Sequence, residues 1–256
     1  NMAGIAGIRG TSASRGAVEE MLELIAHRGP DTRKIDDGKD YCGGVCASKL
    51  SAARGDGFAH DGNVSVLFDG DIYNEREQGR SDSDVALEMY RRYGRNFAAH
   101  LEGVFACAVF DGDNVILARD DVGVRPIYFG HTDDGSFIFA SEMKALVGRC
   151  TDVRELLPAA TYSTLTGKAS YIPVHPQIRM GDSLEEATRT LRDLMMQSVQ
   201  RRIEDGAVGA CLLSGGLDSS VIAAAAHELG ADIPLITVGM EGAPDLDNAK
   251  IMAEHL

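Results

Sequence analysis

Apolar residues recur at helical spacing near the start of the chain. Val18, Met21, Leu22 and Ile25 predict a helix over 15–27, stopped by His27-Arg28-Gly29-Pro30-Asp31. Between 41 and 140 the texture changes to short β-rich runs, at 64–68, 104–110, 115–118, 126–129 and 137–140. Gly, Asp and Asn punctuate them, and Asp111-Gly112-Asp113-Asn114 predicts a hairpin turn. One helix interrupts the runs at 82–93. Strands flanked by helices without regular βαβ alternation predict layered antiparallel sheets, an α+β fold.

Around 173–182 the pattern changes again, and Pro173, Pro176 and Gly181 mark a linker. Ser183-Leu184-Glu185-Glu186 is a capping box that opens a helix to about Glu204. Ala187, Leu191, Leu194 and Val199 fall on one side of it, and Met195-Met196 read as core. A strand over 208–213, a helix over 217–229 and a strand over 233–238 form a βαβ unit, the opening of a parallel α/β sheet. Two domains are expected, 1–172 and 173–256.

With 256 residues, 44% of them apolar, the chain has enough material for two cores. It carries 25 basic and 39 acidic residues, for a formal charge of −14. That balance repels phosphate backbones and argues against a nucleic-acid binder. No apolar run approaches the roughly 20 residues that span a bilayer, so no membrane partner is expected and the expected location is the cytoplasm. The five cysteines are odd in number and form no CxxC pair. Buried free thiols are the expectation for them. Asn1-Met2 reads as a tag remnant ahead of an initiator Met.

The most informative string is Ser214-Gly215-Gly216-Leu217-Asp218-Ser219-Ser220, set between a predicted strand and a predicted helix. Glycines there let backbone approach a ligand closely. The N–H groups of the helix start face an anion, and the serines add hydroxyl donors. Asp218 fits this setting if Mg²⁺ bridges it to phosphate oxygens. A Ser/Gly turn that merely caps a helix is the plain alternative. The string lacks the GxxxxGK[ST] pattern of the Walker loop. It resembles the SGGxDS loop of the ATP pyrophosphatase superfamily, an adenine-nucleotide α-hydrolase-like fold. Thr237-Val238-Gly239-Met240-Glu241-Gly242-Ala243-Pro244-Asp245 resembles the next strand and loop of asparagine synthetases. The resemblance implies that Ser214, Gly215, Gly216, Asp218 and Ser219 hold pyrophosphate and Mg²⁺. The main chain of Leu212 and Val238 would place adenine, although core packing is the plain reading of Val238.

The first 170 residues resemble the class II glutaminase domain of the same family, an N-terminal-nucleophile hydrolase with an αββα sandwich. His27-Arg28-Gly29-Pro30-Asp31 stands where the family has HRGPD, and Phe68-Asp69-Gly70-Asp71-Ile72-Tyr73-Asn74 where it has NGEIYN. Gly103-Val104-Phe105-Ala106, Arg119-Asp120, Gly123, Pro126 and Ser141-Glu142-Met143-Lys144-Ala145-Leu146 also fit. The resemblance implies ATP, aspartate, and ammonia or glutamine as small-molecule partners, and it leaves room for a homodimer.

The glutaminase chemistry does not carry over. The nucleophile position, a Cys in the family, is Ala3, which has no nucleophile. The Arg that clamps the glutamine carboxylate is Lys49, with the bidentate fork lost. The oxyanion-hole Asn beside Gly70 is Asp69, which cannot donate as an ionised carboxylate. The Glu that receives the substrate amine is Asp71, and only Asp82 matches the remaining contact. An engineered Cys→Ala change would explain Ala3 alone, whereas decay of the site explains all four. His27 reads as part of a structural turn, and Glu142 with Lys144 as a structural ion pair. His60, His100, His131 and His175 read as surface residues. The chain stops two strands into the second domain and reads as a fragment, expected to bind ATP weakly. An amide synthetase working with ammonia is the leading expectation. A β-lactam-forming or other amide synthetase, and a non-catalytic glutaminase-like scaffold, are the alternatives.

Overall fold

The computed structural model describes residues 3–49, 54–74, 79–171, 181, 183–204, 208–240 and 242–256. The expected linker, the boundary at 172/173 and His175 lie outside the described residues, apart from Gly181. The chain divides into two compact units, Asn1–His175 and Pro176–Leu256.

The first unit runs β1 (Ala3–Arg9), α1 (Arg15–Leu24), β2 (Thr32–Asp37), β3 (Tyr41–Ala47), β4 (Phe58–Asp61), β5 (Val64–Ile72) and α2 (Asp82–Tyr93). It continues with β6 (Gly103–Asp111), β7 (Asn114–Arg119), β8 (Tyr128–His131), β9 (Phe137–Ala140), β10 (Arg154–Glu155), β11 (Ala160–Ser163) and β12 (Lys168–Tyr171). Among the described residues these make two six-stranded sheets, ordered β10-β8-β9-β1-β3-β2 and β12-β11-β7-β6-β5-β4. Every pairing within both is antiparallel.

Alternation along the central strands explains the layering. Ala106, Ala108 and Phe110 of β6 face the other sheet and meet Ile5, Val45 and Phe139. Phe105, Cys107 and Val109 of the same strand face α2 and meet Val85, Ala86 and Tyr90. Successive side chains point to opposite faces, and here both faces are dry, so the strands read as continuous apolar runs. A third layer sits outside the first sheet, where Val18, Met21, Leu22 and Ile25 cover Ile8, Cys42 and Cys46. The result is the expected αββα sandwich.

Element limits move for identifiable reasons. The first helix ends at Leu24 rather than at 27, and a 3-10 turn at Ala26–Arg28 follows. Gly29 then lies against the backbone of Ala47 so closely that a Cβ would collide with it. The tighter turn delivers the chain to that contact. The 126–129 strand shifts to Tyr128–His131. The loop before it is held by Asp120, whose carboxylate accepts from the N–H groups of Phe105, Val122, Val124 and Arg125. The hairpin turn is found, with Asp111 paired to Asn114 across Gly112 at φ 53°.

The second unit runs α3 (Leu184–Ile203), β13 (Cys211–Leu212), α4 (Leu217–Glu228), β14 (Leu235–Ile236) and α5 (Pro244–His255). The capping box forms as read, with Ser183 and Glu186 capping reciprocally. The buried stripe of α3 differs from the expectation. Leu191 and Leu194 are 60% and 57% exposed, whereas Met196, Val199 and Ile203 pack on Ala225 and Ala226 of α4. Small alanines let the two helices approach there, which selects that face. Met195 is only half-buried. β13 and β14 pair in parallel, as the βαβ reading requires, but over two residues each. Pro234 has no N–H to extend the ladder.

Candidate functional site

Three elements of the first unit converge on Ala3. β1 and β3 run side by side, with Ala3 opposite Ala47. β5 brings Asp69 from the facing sheet, and the 3-10 turn after α1 brings Arg28. The Ala3 N–H donates to Asp69 Oδ1 at 3.1 Å. Arg28 Nε donates to the Ala3 carbonyl at 2.8 Å, and another Arg28 nitrogen meets Asp69 Oδ2 at 2.6 Å. Arg125 Nε lies 3.9 Å from Asp69 Oδ1. The Asp69 carboxylate is therefore fully buried and faced by two guanidinium groups. Burial pushes its pKa up, against the pull of Arg28 and Arg125 downward.

The same arrangement repeats beside it. Arg54 lies with its Nε 3.6 Å from Asp71 and a terminal nitrogen 3.7 Å from Asp82. It also donates to the Ile72 carbonyl at 2.9 Å and lies over the Tyr73 ring. Arg125 reaches Asp71 at 3.4 Å. Three arginines and three aspartates thus form one network, with Arg28, Arg54, Asp69 and Asp82 buried and Arg125 and Asp71 partly so. Gly70 sits within it at φ 149°, where a Cβ would strike the Val104 carbonyl. A cavity of about 10 Å³ remains between Ala3, Ala47, Arg54, Gly57, Gly70 and Asp82. That is room for about one water molecule.

Arg28 also ties the network to the surface. Glu142 lies 3.4 Å from Arg28, 2.8 Å from His27 Nε2 and 3.1 Å from Lys144. Burial opposes ionisation of Glu142, but Lys144, His27 and Arg28 outweigh it and hold the carboxyl below its usual range. His27 and the Glu142–Lys144 pair are therefore structural ties, as read from the sequence. Three other cysteines offer no substitute nucleophile. Cys42, Cys46 and Cys107 are buried, and burial raises all three pKa values, that of Cys42 to about 11.

In the second unit the loop after β13 is an open cradle. Leu213 is buried, while Ser214, Gly216, Leu217 and Asp218 are exposed. Ser214 Oγ and Ser219 Oγ lie 2.9 Å apart, and Ser219 Oγ accepts from the Ser214 N–H at 3.1 Å. Gly216 is the N-cap of α4 and offers no side-chain cap to the first-turn N–H groups. Those donors remain available to an anion, and the helix dipole adds to the field. Gly215 adopts φ 80° with its Cα against α5, where a Cβ would lie 2.6 Å from the Asp245 oxygen. Among the described residues no group of three His, Cys, Asp or Glu is placed to hold a metal. Asp218 is exposed in the first turn of α4, and as a single carboxylate it could contribute one hard oxygen ligand to a cation. The Val238 side chain is 89% exposed, so the plain reading of core packing does not hold for it here. Leu212 is exposed as well, and it pairs with Ile236 through main chain.

Comparison with known proteins settles the kinship. The family model for the glutamine amidotransferase domain matches residues 2–181, and that for asparagine synthase matches 190–256. The chain belongs to the glutamine amidotransferase family, in the arrangement of the asparagine synthetases. Over its whole length it is 31% identical to the glutamine-hydrolysing nodule asparagine synthetase of Pisum sativum and 32% identical to that of Triphysaria versicolor. Each alignment covers 49% of the relative, so the chain spans about half the length of the curated relatives it matches. Among solved structures, the glutamine phosphoribosylpyrophosphate amidotransferase of B. subtilis, complexed with ADP and GMP, shares the fold. It gives a TM-score of 0.56 at 18% identity, over 95% of this chain and 70% of that one. An allosteric regulatory enzyme of purine biosynthesis gives 0.55 at 17%, over 95% and 69%.

Within this chain, Ala3, Asp69, Gly70, Asp71 and Asp82 come together. Lys49 does not join them. It is exposed, its N–H donates to Asp31 at 2.8 Å, and it lies outside the residues lining the small cavity. Arg28, Arg54 and Arg125 are the site residues absent from the sequence reading. The carboxylate at 69, where the family string has Asn, is the signal that calls for them, because buried charge requires a partner.

Proposed function

We propose that this chain is part of an asparagine synthetase-like amide ligase that takes ammonia rather than glutamine as its nitrogen source. The observation that supports the missing glutaminase step is the Arg–Asp network. Arg54 places a cation against Asp71 and Asp82, where the family resemblance would put the α-ammonium of glutamine. Asp69 is engaged by Arg28 where an oxyanion donor would stand. Ala3 supplies no nucleophile.

The ligase half rests on the Ser214–Ser220 loop. When bound, ATP would supply the adenylyl group that turns a carboxylate into an acyl donor for ammonia, with pyrophosphate as the leaving group. The hydroxyls of Ser214 and Ser219 and the first-turn N–H groups of α4 hold pyrophosphate oxygens. Asp218 would hold Mg²⁺ to neutralise the phosphate charge, and the main chain of Leu212 and Val238 would place the adenine. Aspartate is the proposed acceptor, with another carboxylate, as in β-lactam formation, as the second reading. A non-catalytic scaffold is disfavoured by the open, donor-lined loop.

Pyrophosphate release by the protein that carries this chain tests the proposal. With aspartate and Mg-ATP, ammonia should sustain release and glutamine should not replace it. Release supported equally by glutamine overturns the proposal.

A further inference from the structure

A cleft of about 210 Å³ lies in the first unit between the 3-10 helix Gly94–His100 and the outer end of the second sheet. Two cross-strand pairs build its floor. Thr161 of β11 stands opposite Ser170 of β12, and Ser163 stands opposite Lys168. Residues two apart share a face, so all four belong to one side of the sheet. On the next strand, β7, that side is apolar. Thr161 pairs with Ala118 and Ser163 with Ile116, and both partners belong to the core beneath α2. The polar floor therefore interrupts a dry layer.

Thr161 and Ser163 are only 9% and 4% exposed. Placing hydroxyls there costs free energy unless they find partners. Ser163 Oγ donates to Asn114 Oδ1 at 2.9 Å, which leaves its lone pairs as acceptors. Arg95 and Asn96 line the opposite wall. No Asp or Glu among the described residues lines the cleft. The sequence agrees, because residues 156–181 contain no carboxylate in a chain that carries 39. In a protein of net charge −14, the described residues lining this cleft thus include two cations and no acid.

We propose that this cleft binds a small phosphate-bearing ligand. Arg95 offers a planar fork and Lys168 a point charge, the two complementary ways of meeting phosphate oxygens. Thr161, Ser170 and the Asn96 amide add neutral donors around them. Two cations and several donors match a dianion with three or four oxygens better than a single carboxylate. The site is separate from the Ser214–Ser220 loop, which belongs to the other unit, so it stands whether or not the ligase proposal does.

An NMR titration of the whole chain with inorganic phosphate tests it, with sodium chloride at matched ionic strength as the control. The amides of residues 161–171 should shift saturably. Arg95→Gln and Lys168→Gln should each weaken the interaction about tenfold, the loss of one charge-assisted hydrogen bond. Lys168→Arg should retain it, and Lys39→Gln, an exposed lysine between β2 and β3, should leave it unchanged. Spectra of the variants away from the cleft report that they still fold. Shifts reproduced by sodium chloride, or undiminished in the Arg95→Gln/Lys168→Gln double variant, overturn the proposal.

Discussion

Truncating Arg54 to Ala removes the guanidinium that lies against Asp71 and Asp82, two carboxylates at least largely buried. Breaking a buried ion network from one side costs about 3–5 kcal/mol, because the remaining charges lose their match. Urea unfolding should show that loss in the transition of the first unit, with Arg54→Lys losing less. A second prediction concerns pH. Glu142 is held below its ordinary value of 4.5 in the folded chain. As pH falls through 4.5 the unfolded chain takes up the proton first, so this contribution is present above that value and is lost below it. Glu142→Gln lacks the contribution. Its stability should be lower than that of the parent at neutral pH and should fall less steeply from pH 5 downward, measured by thermal melts across that range. A steeper fall in the variant contradicts the assignment of Glu142 as the tie between His27, Lys144 and Arg28.

At the scale of elements, the Ser214–Ser220 turn depends on Gly215. Its φ of 80° is strained for any other residue, and a Cβ would meet the Asp245 oxygen and the Ala249 N–H of α5. Gly215→Ala should weaken ATP binding about tenfold or more, given strain of about 1–3 kcal/mol at such a position. Fluorescence titration with a labelled ATP analogue measures it, and unaltered affinity contradicts the loop's role. Much of this scale was legible in advance. The apolar runs of β6 and β7, the capping box at Ser183 and the strand–loop–helix around Gly215 all agree with local propensity. β1 was not legible, because Ala3-Gly4-Ile5-Ala6-Gly7 reads as a weak strand. Its glycines are there for space, since a Cβ at Gly7 would press on Phe139 and one at Gly4 on Cys46 and Ile25. α5 was missed despite a readable start, with Pro244 in the first turn and Asp245 and Asp247 beside it. The buried network was hidden for another reason. Arg28, Arg54 and Arg125 lie far apart in sequence, and a lone arginine is read as surface until a fold brings carboxylates to it.

For the whole molecule, the proposal is that kinship and glutaminase competence separate. The chain has the fold and the domain order of a glutamine-dependent synthetase, and its ATP loop keeps the donors that such a loop needs. Beside Ala3, Arg28, Arg54 and Arg125 lie against Asp69, Asp71 and Asp82, and the cavity bounded by the described residues there has room for about one water. Desolvating a zwitterion into that space would require Arg54 to leave Asp71 and Asp82 and Arg28 to leave Asp69. The measurement that bears on this most directly is calorimetric titration of the chain with glutamine, followed by assay of the same sample for released ammonia. The predicted result is no saturable heat at millimolar glutamine and no ammonia above the uncatalysed background. Saturable heat, or ammonia released in proportion to the protein added, would contradict a pocket closed by its own arginines.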